Sequence, residues 1–306
     1  MSSGYVGVKS RFKYRNILRL WLQTLFYTVS ITLIFFVVSP NSVNTKDIII
    51  AFFPISSKTY WYLSAYTLMF FLIPQMNFIL ENQDKNILKT FIWTFFILFS
   101  LCSLPVVIRG IASPVQSGYS AIWLAYLYII GGFIRIHGIT ELFIFSSGIR
   151  KCEYLSNCIG VLFGNQFARL SVYIACTLFT YIIYTCGPHI TKMAIGRKIS
   201  FFSFIDYTSP TTLLAAIALL ELFSHMSLDR YSSFIRLASP LSFSVYLIHC
   251  QRVFYRLVFK EAFAKVSEFP AIVLPFAIII IPLIIYILCS LIDFVRLKLF
   301  QVLKIS

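Results

Sequence analysis

The sequence predicts an all-α protein, a polytopic transmembrane helical bundle of about eight membrane-spanning helices. Two observations carry this. Hydrophobic residues make up 59% of the 306 and charged residues only 12%, against roughly a quarter charged in soluble domains. The apolar residues also gather into runs of about the 20 residues that a bilayer core requires. In chain order the predicted spans are 17–38, 61–80, 88–108, 119–135, 167–186, 209–226, 241–259 and 271–294.

Between them lie short connections, the longest being 39–58, 138–165 and 187–207. The stretch 138–165 is expected to carry an interfacial helix ahead of the fifth span. No repeat or low-complexity segment separates a second domain, so 1–306 reads as one integral-membrane domain. Met1–Gly7 is polar and the first apolar run is too long for the core of a signal peptide.

The net charge of +15 would suit nucleic acid, but its distribution suits membrane topology better. With a cytoplasmic N-terminus, sixteen of the 26 Lys and Arg fall on the inner side and ten on the outer side. This predicts a plasma-membrane protein with both termini cytoplasmic, the segments around Lys46 and Arg197 facing outward, and no nucleic-acid partner. Lys9, Arg11, Lys13, Arg15 and Arg19 precede the first span as a topology anchor or as a site for an acidic ligand or anionic lipid.

The segment 242–256, S-F-S-V-Y-L-I-H-C-Q-R-V-F-Y-R, places a histidine and two arginines in an apolar run. A charge at membrane depth costs roughly 2.5–3.5 kcal/mol, so such residues mark function by default. On a continuous helix Ser242, Tyr246, His249 and Arg256 share one face, with Arg252 at its margin. The plainer alternative has Arg252 and Arg256 reaching to the interface and His249 bonded as a packing residue.

Seven cysteines show no metal-ligand spacing and read as reduced packing residues, with no metal site. Cys250 adjoins His249, yet helix neighbours point about 100° apart, so a nucleophile–base pair from these two is not expected. There is no glycine-rich phosphate loop, which excludes a Walker-type ATPase and a dinucleotide fold. Tyr60 and Trp61 stand where the second span begins, as aromatic-belt anchors or as rings for carbohydrate. Ser209 before Pro210 is a helix-start signal.

Four stretches, occurring in order, carry a resemblance: Y-W-Y-L-S-A-Y-T-L-M-F-F-L-I-P-Q-M-N (60–77), G-Y-S-A-I-W-L-A-Y-L-Y-I-I-G-G-F-I-R (118–135), Y-T-S-P-T-T-L-L (207–214) and S-V-Y-L-I-H (244–249). Together with I-D-F-V-R-L-K-L-F (292–300), the sequence resembles acyltransferase family 3, and within it the branch found with capsule and O-antigen synthesis. These are integral-membrane O-acyltransferases of the bacterial inner membrane. The resemblance implies acyl transfer from acetyl-CoA or another acyl-CoA, with no bound cofactor, to a hydroxyl of a surface polysaccharide or its lipid-linked precursor.

It also implies roles. The family's catalytic Arg and His, about three turns apart in its first helix, have no counterpart here, and the segment 1–19 is similar to the family's stretch after the second helix. The expected catalytic base therefore lies upstream of Met1, and the chain is expected to need two further helices for activity. His249 is the catalytic candidate that the sequence does hold, with Tyr246 and Ser244 as prospective partners. Tyr60, Trp61, Tyr246, Arg252 and Arg256 are candidates for acceptor binding. Lys13, Arg15 and Arg19 are candidates for the anionic donor, although the family's Arg-x-x-Arg pair aligns with Asn16 and Arg19. His137, His189, His225 and Asp206 are weaker candidates. The alternative function is a polysaccharide flippase or related transporter, which would show paired broken helices in two halves.

Overall fold

The computed structural model describes residues 1–56, 58–102, 104, 113–144, 153–196, 198–199, 201–266 and 268–302. Arg197, Cys152 and the end of the third predicted span lie outside the described residues. Those described contain no strand. Their α-helical segments are α1 (Ser2–Gly7), α2 (Tyr14–Val38), α3 (Thr45–Phe52), α4 (Trp61–Asn82), α5 (Lys85–Phe96), α6 (Ala121–His137), α7 (Ile139–Phe143), α8 (Glu153–Phe163), α9 (Gln166–Ile195), α10 (Pro210–Ser224), α11 (Ser232–His249), α12 (Arg252–Phe254), α13 (Lys260–Val266) and α14 (Leu274–Val302). Short π-helical turns follow α5 at Ile97–Leu101 and α12 at Tyr255–Phe259.

The all-α membrane architecture stands. Four described helices are long and apolar enough to cross a bilayer on their own, namely α2, α4, α9 and α14. The 17-residue α6 is a shorter apolar helix. The seventh predicted span is corrected: its helix starts at Ser232, ends at His249, and does not run on to Phe259. Gln251 takes extended backbone (φ −62°, ψ 129°) and caps the next helix, so the chain stops and restarts between His249 and Arg252.

The chain forms two compact units, with a boundary inside α4 between Ser64 and Ala65. The first comprises Met1–Phe12 and Ala65–Ser227. Its core gathers Trp123, Tyr126, Phe133, Leu213 and Ile217 around the buried face of α6. Here α1 lies directly on α6. A Cβ at Gly4 would collide with the Tyr128 backbone, and one at Gly131 with that of Met1, so the two glycines permit backbone-to-backbone approach. The Tyr128 hydroxyl donates to Asn77 Oδ1 at 2.8 Å.

The second unit comprises Lys13–Ser64 and Leu228–Ser306. Gln23 and Tyr27 of α2 meet Asp293 of α14, while Arg19 and Leu22 share a cavity with Leu297 and Gln301. The two helices thus run antiparallel, and the start of α2 and the end of α14 lie at the same end of the unit. The Asp293 carboxylate is fully buried and accepts from Tyr27 Oη at 2.6 Å, Gln23 Nε2 at 3.3 Å and Arg296 Nε at 2.7 Å. Four groups that would each be costly in hydrocarbon are thereby mutually satisfied.

Candidate active site

In the second unit the functional candidates fall into three groups. His249 is the last residue of α11, with Nδ1 2.5 Å from the Val245 carbonyl one turn back. A carbonyl only accepts, so Nδ1 carries the hydrogen of that bond, and in the neutral ring Nε2 presents its lone pair. Cys250 Sγ lies 3.2 Å from Nε2. The Cys250 N–H still bonds to the Tyr246 carbonyl at 3.1 Å, one turn back, and the two neighbouring side chains meet there all the same.

Tyr246 flanks the histidine, with ring centroids 6.1 Å apart, but does not bond to it. Its hydroxyl lies by the backbone amides of Tyr62 and Leu63 without reaching hydrogen-bond geometry. Ser244 is turned away, donating to the carbonyls of Leu241 and Cys289. Tyr60 is 1% exposed, packs edge-on to Tyr246 at 5.7 Å and donates to the Leu247 carbonyl at 2.8 Å. That burial corrects its placement on an aromatic belt: its ring supports the end of α11 and is closed to sugar. Trp61 is half-buried against Tyr62, with ring centroids 5.8 Å apart.

Arg252 and Arg256 form a second group and do not share a helix face with His249, because the break at Gln251 intervenes. Both reach α3. Arg252 Nε is 2.8 Å from Asp47 Oδ1, and Arg256 Nη2 is 3.0 Å from Oδ2 and 2.6 Å from the Ser42 carbonyl. The Asp47 side chain is 0% exposed and the two arginines 39% each. Asp47 is fixed by a capping box in which its backbone N–H donates to Asn44 Oδ1 and its carboxylate accepts from the Asn44 N–H. Burial alone pushes its carboxyl up. The bond from Arg256, the Asn44 amide and the charges of Arg256 and Arg252 outweigh that and hold it below its ordinary 3.8. Two guanidiniums on one carboxylate leave one positive charge and several donors at the surface.

The third group is basic. Lys13 caps α2, and Arg15 and Arg19 stand exposed on its opening turns. Arg19 lines a cavity of about 290 Å³ with Gln23, Pro240, Arg296 and Phe300. The structure thus brings Arg19 together with Arg296, which sequence reasoning passed over although an Asp and an Arg three residues apart within an apolar run mark it. Asp47 was also passed over; the N-x-x-D capping pattern before α3 was its only local signal.

The family model of the acyltransferase domain matches residues 1–291. The chain belongs to acyltransferase family 3. It is therefore a membrane enzyme that transfers acyl groups other than aminoacyl groups. No curated protein and no solved structure matches it. Among the described residues no group of His, Cys, Asp and Glu has the arrangement of a metal site.

Proposed function

We propose that this acyltransferase moves an acetyl or other small acyl group from an acyl-CoA to a hydroxyl of a bacterial surface polysaccharide or its lipid-linked precursor. It does so in the inner membrane, with both termini cytoplasmic and residues 1–306 working as one acyltransferase domain. Lys13, Arg15 and Arg19 receive the phosphates of the donor, and Arg296 completes the cavity. His249 orients or deprotonates the acceptor hydroxyl. Trp61, Tyr246 and the surplus charge of Arg252 and Arg256 face the acceptor, whereas Tyr60 holds α11 in place.

The observation that carries this reading is the course of α11. Pro240 lines the cavity with Arg19 and Arg296, and His249 lies nine residues further on, about 14 Å at 1.5 Å per residue. The long thioester arm of a coenzyme A held by its phosphates at the first place covers that interval.

The test is acetyl transfer from labelled acetyl-CoA to surface polysaccharide, in membranes carrying the protein as its gene encodes it. Substitution His249→Ala is expected to lower turnover by about 100-fold, the scale of a lost proton-transfer group, with membrane insertion unchanged. Unchanged turnover would remove His249 from the site, and absence of transfer to any polysaccharide would reject the acceptor class.

A further inference from the structure

The first unit contains a charged site that the proposed transfer does not use. A cavity of about 380 Å³ lies where α6 and α10 end and α9 begins, bordered also by Tyr5 of α1 and by α8. Arg169, on the second turn of α9, lines it and is only 7% exposed. Its Nε is buried without a hydrogen bond, and no ion pair or hydrogen bond to its guanidinium occurs among the described residues. Burying a cation costs several kcal/mol unless it is paired. Such a guanidinium, aimed into a cavity, is built to receive an oxyanion.

The same cavity holds one acid. Glu221 is 4% exposed and does not come within ion-pairing distance of Arg169. Nδ1 of His225 lies 3.5 Å from its carboxylate, and that nitrogen is already 2.9 Å from the Glu221 carbonyl and 3.0 Å from Ser224 Oγ. A separated buried cation and anion in one cavity match a ligand carrying both charges in the opposite order.

The surroundings supply the rest of the ligand. One helical turn further along the same two helices, from Ile134 to Ile130 on α6 and from Glu221 to Ile217 on α10, lies an apolar cavity of about 250 Å³ bordered by Trp93, Phe96, Tyr126 and Leu213. A charged compartment beside a hydrocarbon one, at the end of apolar helices, is the profile of an amphiphile at a membrane surface.

We infer that these paired cavities bind a phospholipid with an amino headgroup, its phosphate on Arg169, its ammonium on Glu221 and an acyl chain toward Trp93 and Leu213. The phosphate has a second source in this protein, the acyl-CoA donor, which offers no ammonium for Glu221. The two sources therefore separate by experiment.

The full-length protein is purified in detergent and its melting temperature followed as phosphatidylethanolamine, phosphatidylglycerol of the same chains, coenzyme A or inorganic phosphate is added. Phosphatidylethanolamine is expected to raise the melting temperature more than the other three. Arg169→Gln is expected to weaken that response by about tenfold or more in lipid concentration, as loss of a charge-assisted bond does. Glu221→Gln is expected to make phosphatidylethanolamine and phosphatidylglycerol equivalent. Mass spectrometry of lipid carried through purification reads the wild type without any variant and is expected to find phosphatidylethanolamine enriched over the bulk membrane. Equal responses to both lipids in the wild type, a response to coenzyme A or phosphate alone, or co-purified lipid of bulk composition would each overturn the inference. If Arg169→Gln does not fold, Arg169→Lys takes its place, and full retention of the headgroup preference in Glu221→Gln would equally reject it.

Discussion

Asp47 and Arg256, 209 positions apart in sequence, are joined by a carboxylate oxygen and a guanidinium nitrogen at 3.0 Å, with Arg252 on the other oxygen. Removing the acid leaves two like charges side by side. Asp47→Ala is expected to destabilise the second unit by roughly 2 kcal/mol, below the 3–5 kcal/mol of a fully buried pair because both arginines reach solvent. Thermal unfolding in detergent measures it. The pH dependence has a definite sign. The carboxyl is held below 3.8 in the folded state, so its contribution is present at neutral pH and fades as pH falls through the folded value. The wild-type melting temperature should drop as pH falls below 3.8 by more than that of Asp47→Asn; parallel pH curves would show that the pair contributes nothing.

Tyr27 donates to the fully buried Asp293 at 2.6 Å, alongside Arg296 and Gln23. Tyr27→Phe keeps the ring and deletes one bond to a charged acceptor, for an expected cost of about 1.5–3 kcal/mol. Arg296→Met in the same background should cost less than the sum of the two single changes, since both act on one carboxylate. Additive losses in a double-mutant cycle would indicate that the four groups do not act as a network.

Gly131 lets α1 rest on α6, where any Cβ would meet the Met1 backbone. Gly131→Ala is expected to displace α1 and lower the melting temperature, by the 1–3 kcal/mol typical of overpacking. A cysteine label introduced at the exposed Ser2, read for mobility, should become freer in the variant. Unchanged mobility would mean that the α1 contact is not what the glycine serves.

Arg19 is the exposed member of the pair that flanks the basic cavity, Arg296 being 7% exposed and committed to Asp293. Arg19→Gln is expected to weaken acetyl-CoA binding about three- to tenfold and to flatten its salt dependence. Isothermal titration at two salt concentrations reads both quantities. Equal affinity in wild type and variant would move the donor elsewhere.

Hydropathy made the helices legible because a bilayer demands long apolar runs: α2 and α4 begin and end within about three residues of the predicted spans. The stop at Cys250 was not legible. No Pro or Gly marks it, and an apolar run continues on both sides, so periodicity extends one helix where the fold has two. The same error put Arg252 and Arg256 on the face of His249. Their partner Asp47 sits in another stretch of the chain, and no spacing rule reaches that far. Arg169, Glu221 and Asp293 carried a usable signal, a charge within or beside an apolar run, yet only the segment around His249 was weighed for it.

Gln251 occupies the gap between α11 and α12 with both ends of its amide engaged. Its oxygen accepts from the Phe254 N–H at 2.8 Å, and its nitrogen donates to Thr32 Oγ1 on α2 at 3.0 Å. A continuous helix would have geared the histidine and the arginines rigidly together, so that turning one swung the other. Here a two-residue joint uncouples them, and the glutamine clasps that joint to α2. The imidazole and the paired guanidiniums are accordingly mounted as separate tools: either can be re-aimed by changing its own helix, while the torsion between them is set by a single amide and a threonine hydroxyl.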